Sequence, residues 1–305
     1  MARPKSVLIH IGCTGPYISG PALPPYIEHC IAQYLLFNDG PIYVLTDSVN
    51  IPHLKQRRQV IPVALEDYAS DKVARFNALY NYAPHNFWTV AATRLIYLEN
   101  FLRDNGLEHV YHFENDVLVY FDISEYHHVF RQLYQHLAIT PGGPDKCMTG
   151  FVYINNAQSL AGMTDFFIET LEQLGIEGTK KQYGLDMVHE MGLIKAYSIE
   201  HGSRLAFLPI LPFGKFSQHY GDFGAIFDPA GWGQFVGGTR EEGPGAKCLY
   251  IGDVLKQHPS YTVTWEVEDG LRCPYFSYDG NLVKINTLHI HSKNLSAFMS
   301  TKKGA

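Results

Sequence analysis

The 305-residue chain has little cysteine, no long apolar run and no surplus of basic charge. Cys13, Cys30, Cys147, Cys248 and Cys273 are odd in number, widely spaced and without a Cys-x-x-Cys pair. A disulfide framework or a structural zinc knot needs paired cysteines, so both are disfavoured. No stretch approaches the roughly 18 uninterrupted apolar residues of a membrane helix. The basic start, Met1-Ala2-Arg3-Pro4-Lys5, is followed only by Val7-Leu8-Ile9 before His10, too short for a secretory signal. Lys and Arg number 24 against 30 Asp and Glu, a formal net charge of −6 with no basic stripe. That excludes wrapping of nucleic acid, whose phosphates demand one. Internal repeats and low-complexity linkers are missing too. The expectation is a soluble, reduced, cytoplasmic chain without an integral membrane segment.

What is present is 46% hydrophobic residues, 15 His and 20 Tyr, ample for a folded core. The length suits one large α/β domain or two halves sharing a core. Ser6–Gly12, Pro41–Asp47 and Gln59–Ala64 read as strands. Tyr26–Asn38 reads as a helix, because Ile27, Cys30, Ile31, Tyr34 and Leu35 recur at helical spacing. Asn38-Asp39-Gly40 supplies its stop, with Gly40 expected at positive φ. Asn86–Asn105 reads as the longest helix and Glu108–Tyr120 as a strand broken by an acidic step. Such alternation implies βαβ units and a mixed, mostly parallel sheet flanked by helices.

Further along, Cys147–Asn155 and Leu205–Pro212 read as strands, Thr164–Leu174 and Gly184–Met191 as helices. The Gly-rich stretch Tyr220–Gly245 reads as a long loop system over a site. Tyr261–Glu266 and Val283–His291 read as closing strands, and Thr301–Ala305 as a basic tail.

The acidic step is Glu114-Asn115-Asp116, entered from Val110-Tyr111-His112-Phe113. In extended chain, residues two apart share a face, so both carboxylates can aim at one point. At the carboxyl end of a parallel strand that point lies in the ligand crevice of α/β sheets. Two carboxylates so close repel unless a cation sits between them, and Mg²⁺ or Mn²⁺ with a diphosphate is the natural occupant. Alone, the step reads equally as a polar turn. Near the carboxyl terminus, His289-Ile290-His291 places two imidazoles on one strand face with Lys293 beyond. Imidazole suits Mn²⁺ or Zn²⁺, and lysine suits phosphate. The pattern reads equally as a His-rich edge strand, and the two motifs converge only if the last strand returns to the acidic step.

Taken in order, these residues resemble a nucleotide-sugar-dependent glycosyltransferase of the GT-A type. Glu114-Asn115-Asp116 stands where that family has its Asp-x-Asp element, with Glu in first place. Thr149–Asn155 resembles the small-residue, apolar strand that follows. Gln182–Met187 resembles a polar helix start carrying a catalytic or acceptor-binding acid, and Phe227–Gly238 a Gly-rich loop of some members. The resemblance implies a GT-A fold with a nucleotide-sugar-binding half, residues 1–156. An acceptor-binding half, residues 157–305, would close back on the metal site. It implies Mn²⁺ (or Mg²⁺) and a nucleotide-diphosphate sugar, UDP favoured, with transfer to a glycan or other hydroxyl acceptor. Metal ligands would be Glu114, Asp116, and His289 or His291, Asp116 being the firmest. His10, Ile11, Gly12, Thr46, Asp47, Arg94, Glu114, Asn115 and Lys293 would face the donor nucleotide.

If the reaction inverts the anomeric centre, a carboxylate must deprotonate the acceptor. Asp186 is the first choice, with Glu190 and Asp228 in reserve. Trp232, Gln234 and Asp228 would line the sugar or acceptor pocket. A sugar nucleotidyltransferase is the alternative, but His10–Pro16 lacks the basic residue such a loop carries. A metal hydrolase would need more clustered ligands than His127-His128 offers. A non-catalytic carbohydrate-binding protein is the reading from another class.

Overall fold

The structure, a computed structural model, describes residues 3–15, 18–20, 22–80, 86–245 and 249–301. Cys248, Pro16 of the first loop and residues 302–305 of the basic tail lie outside the described residues.

The main sheet has seven strands, in the order Leu205–Phe207, Leu137–Gly143, Lys146–Asn156, Glu108–Phe113, Lys5–His10, Ile42–Thr46 and Val60–Ala64. Only Lys146–Asn156 runs against its neighbours; every other pairing in the sheet is parallel. The α/β class with a mixed, mostly parallel sheet is thus as expected. Its inner strands are apolar on both faces, the signature of a sheet covered twice. Leu8, Val44 and Phe113 join one buried cluster, with Ile27, Cys30 and Ile31 of the helix Tyr26–Phe37. Val7, Ile9 and Leu45 join the other, with Leu95, Leu98 and Leu102 of the helix Phe87–Asp104.

A smaller sheet orders Ala225–Ile226, Asn281–Ile285, Leu271–Tyr278 and Thr262–Glu268. Next to it the chain end returns: Thr287–His289 pairs antiparallel with Val117–Val119, placing His289 opposite Val117. Ile290 N–H then donates to the Asp116 carbonyl at 2.9 Å. The convergence on which the sequence argument depended is made by this short ladder.

Several local expectations change. Gly184–Met191 is not a helix: Gly184, at φ 61°, closes the preceding helix, and the next runs Glu190–Glu200. His189 sets that start, its Nδ1 accepting the Gly192 N–H at 3.0 Å. Leu185 and Val188 are buried from a loop. The expected helix over Asn86–Asn105 runs Phe87–Asp104, and the span Ala157–Tyr183 is broken at Gly175, whose φ of 63° is not helical. Gly40 has no positive φ; a Cβ there would strike the Pro4 carbonyl, so close approach demands the glycine. The Gly-rich stretch holds short helices, Tyr220–Phe223 and Trp232–Gly237. The helices Asp71–Leu79 and Ile123–Leu133 and the strands Leu137–Gly143 and Leu271–Tyr278 were not anticipated.

Candidate metal and donor site

The strand Glu108–Phe113 ends at the acidic step, which is a turn rather than extended chain. Val117 N–H donates back to the Glu114 carbonyl at 3.0 Å, and Glu114 N–H donates to the Gly150 carbonyl at 3.1 Å. The turn, not the pleat, brings the two carboxylates to one side. The thiol of Cys30 donates to the Val117 carbonyl at 3.1 Å and steadies it from beneath.

Each carboxylate is held through one oxygen by a cationic side chain and turns the other toward His289. Arg94 Nη2 pairs with Glu114 Oε1, and also donates to Thr149 Oγ1 at 2.7 Å and Glu190 Oε1 at 2.8 Å. Lys293 Nζ pairs with Asp116 Oδ2. The remaining oxygens face the same nitrogen: His289 Nε2 lies 3.2 Å from Glu114 Oε2 and 3.1 Å from Asp116 Oδ1. Ligand atoms from Glu114, Asp116 and His289 all fall within 4.8 Å of one another.

The electrostatics follow from this crowding. Burial works against both charged carboxylates, yet Arg94 and His289 hold Glu114 down at about 2. His289 and Lys293 likewise hold Asp116 well below its ordinary range. Burial opposes the His289 imidazolium, but Asp116 and Glu114 outweigh it and raise its pKa. Glu190 goes the other way, raised by burial and by Glu114 despite Arg94.

His289 is fixed with little freedom. Its backbone N–H donates to Asp228 Oδ2 at 2.8 Å. Gly150 leaves room for its ring, since a Cβ there would lie 2.9 Å from Nδ1. Gly233 does the same for its carbonyl. Nδ1 is buried with no hydrogen-bond partner. His291 stands beside it, ring centroids 4.3 Å apart, with Nδ1 3.0 Å from Gln234 Nε2 and Nε2 buried without a partner. Burial and the neighbouring His289 lower His291 to about 3, so its ring is neutral. Of the two histidines that the sequence left open, His289 is the one inside the cluster.

Two carboxylate oxygens and an imidazole nitrogen, converging and mostly buried, are a donor set suited to Mn²⁺ or Mg²⁺. The residues therefore fit the expected cation.

No protein-family model and no curated protein sequence matches the chain. Among solved structures, mouse xyloside xylosyltransferase 1 in its apo form is similar over 68% of this chain and 85% of its own. The identity is 8% and the TM-score 0.47. The glycosyltransferase GlyE of Streptococcus pneumoniae TIGR4 is similar over 68% of this chain, at 14% identity and TM-score 0.38. This chain spans 45% of the GlyE chain. Likeness at that level concerns the path of the backbone; the chemistry has to come from the residues.

The structure also gathers a second set on the nucleotide side. Asn115 Nδ2 lies 3.3 Å from His10 Nδ1, and Gly12 N–H donates to Asp47 Oδ2 at 2.8 Å. Burial lowers the His10 pKa although Asp47 pulls it up. Thr46 is buried at the end of its strand, its hydroxyl 3.4 Å from Asn50 Nδ2, and Ile11 is half-buried between strand and loop.

On the acceptor side the expectations need correcting. Trp232 is fully buried, 4.7 Å from Phe276 between ring centroids, with Nε1 donating to the Ile210 carbonyl at 3.4 Å. It has no face to offer a sugar. Asp228 is spent on the backbone: Oδ1 accepts from Gly231 and Trp232, Oδ2 from Gly233 and His289. Gln234 is buried behind His291. Asp186 is exposed on the loop before the helix Glu190–Glu200, whereas Glu190, first held in reserve, is the acid bound to Arg94. Thr149, which hydrogen-bonds both Glu114 and Glu190, was missed as a site residue. Its place just before Gly150, on the strand beside the acidic step, was the available signal.

Proposed function

We propose that the protein is a metal-dependent glycosyltransferase, moving a sugar from a nucleotide-diphosphate donor, UDP favoured, to a carbohydrate or other hydroxyl acceptor. The observation that carries this reading is the triangle of Glu114 Oε2, Asp116 Oδ1 and His289 Nε2. It is assembled from segments more than 170 residues apart, at the carboxyl edge of parallel strands where α/β sheets bind ligands.

In this reading the three residues hold Mn²⁺ or Mg²⁺, which when bound offsets the charge growing on the diphosphate leaving group. Arg94 with Thr149 and Glu190 fixes the rotamer of Glu114, so that one oxygen always faces inward. Lys293 sets a positive charge beside Asp116, and donor phosphates gain from it. His10, Ile11, Gly12, Thr46, Asp47 and Asn115 form the wall against which base and ribose rest. Asp186, exposed and bound to no site residue, is the carboxylate available to take the acceptor proton if the reaction inverts configuration.

A thermal-shift series with UDP-, GDP- and other nucleotide sugars, with and without Mn²⁺, tests the reading. Stabilisation that requires both a nucleotide sugar and Mn²⁺ supports it, because a ligand of the native state raises the melting temperature. No response to any nucleotide sugar at saturating Mn²⁺ overturns it.

A further inference from the structure

A cleft of about 210 Å³ opens at the same end of the main sheet, displaced toward its opposite edge. Lys195, Lys215, Phe216, Tyr250, Gln218 and Cys147 are among its lining residues. Its tie to the site is short. Cys147 precedes Thr149 by two residues on the strand Lys146–Asn156, a step of about 7 Å. Lys195 lies on the helix Glu190–Glu200, whose first residue pairs with Arg94.

The chemistry of the lining differs from that of the metal site. Phe216 and Tyr250 pack with ring centroids 4.6 Å apart, and Lys215 Nζ lies 4.8 Å from the Phe216 centroid and 5.5 Å from that of Tyr250. Neither Lys195 nor Lys215 is ion-paired among the described residues. In a chain of net charge −6, two unpaired ammonium groups facing one cleft are a concentrated positive field. Of the acids near Tyr250, Asp145 is turned toward Lys146 at 3.6 Å and Asp253 lies 3.8 Å from Lys256. Aromatic rings accept the apolar face of a sugar, and lysine ammonium groups accept an anion attached to it.

We propose that this cleft is an acceptor subsite for a sugar carrying an anionic substituent, a carboxylate or a phosphate. The sugar ring lies against Phe216 and Tyr250, and the anion lies between Lys195 and Lys215. The word acceptor rests on the glycosyltransferase reading; the binding of an anionic sugar does not.

Calorimetry on the full chain tests it with three probes: a glucuronic-acid-containing disaccharide, a hexose phosphate, and the neutral disaccharide of matching size. The expected result is about tenfold tighter binding of an anionic probe than of the neutral one, the scale of a single charge-assisted contact. Whichever anionic probe binds more tightly tells carboxylate from phosphate. Lys195→Gln and Lys215→Gln should each remove most of that preference, and Phe216→Leu should weaken both anionic and neutral sugars. Equal binding of anionic and neutral probes, or lysine variants that keep the preference, overturns the proposal. The Mn²⁺-dependent response to nucleotide sugars, measured on the same variants, should match the unaltered chain. If the unaltered chain lacks that response but prefers the anionic sugar, the glycosyltransferase reading fails and the cleft stands.

Discussion

Asp228 Oδ2 accepts the backbone N–H of His289 at 2.8 Å, so a buried carboxylate outside the ligand triangle fixes the backbone of the histidine within it. The same side chain gathers the N–H groups of Gly231, Trp232 and Gly233. Asp228→Asn keeps the shape but turns an amide donor toward two of these donors. Leaving buried N–H groups unpaired costs about 1–3 kcal/mol each. The variant should lose about 3 kcal/mol in denaturant unfolding and bind Mn²⁺ more weakly. Unchanged stability would show that the four hydrogen bonds are dispensable.

Asp116 supplies one oxygen to the triangle and one to Lys293. Asp116→Ala should reduce Mn²⁺ affinity at least about 100-fold, since removing one of three protein ligands takes both charge and geometry from the site. Isothermal calorimetry with Mn²⁺ alone reads this directly. Equal affinity in variant and unaltered chain would remove the metal assignment.

Space around His289 gives a separate test. Gly150→Ala would place a Cβ 2.9 Å from its Nδ1, and the ring is not a flexible end that can move aside. Overpacking of this kind costs about 1–3 kcal/mol, and the displaced ring should lose the cation. Circular dichroism melts and a Mn²⁺ titration of Gly150→Ala check both effects together.

Acid stability should carry the mark of a buried histidine remote in role from the site. His112 lies wholly within the sheet, its Nδ1 3.0 Å from the Val7 carbonyl and its Nε2 without a partner. Burial, helped by Arg94, lowers it to about 4. The unfolded chain therefore binds a proton between pH 6.5 and 4 that the folded chain refuses. Its contribution to stability is full above pH 6.5 and falls as pH drops through that window, by about 3 kcal/mol. Urea unfolding from pH 7 to 4 should show the decline, and a His112→Gln variant should make it shallower, with His189 and His291, also lowered by burial, accounting for the remainder.

Asp186 and Glu190 should separate in kinetics. Asp186→Asn should cut transfer while sparing nucleotide binding, because Asp186 is exposed and free of the Arg94 network. Glu190→Gln should weaken Mn²⁺ binding as well, because Glu190 helps orient Arg94 against Glu114. Turnover and calorimetry on both variants decide; a fully active Asp186→Asn removes it as a base.

Much of this was legible from residues. The strands Lys5–His10 and Ile42–Thr46 are continuous apolar runs, and the helices Tyr26–Phe37 and Phe87–Asp104 carry plain periodicity. Those signals are local. Glu114, Asp116 and His289 were legible because charged or imidazole groups beside apolar strands need a reason to be there. Trp232 and Asp228 misled because a sequence shows what a side chain could bind, not that Phe276 or four backbone N–H groups already occupy it. Glu190 lost to Asp186 for a related reason. The helix start is set by His189 bonding to Gly192, and His189 carries little weight as a cap in any propensity ranking.

The ladder between Val117–Val119 and Thr287–His289 has a temporal meaning as well. Both carboxylates leave the ribosome long before the imidazole that completes their triangle. Until Thr287–His289 docks, Glu114 and Asp116 face each other with only Arg94 to relieve them. A nascent or prematurely terminated chain ending before Thr287 would therefore carry a half-built cation site, and cation binding would report completion of synthesis.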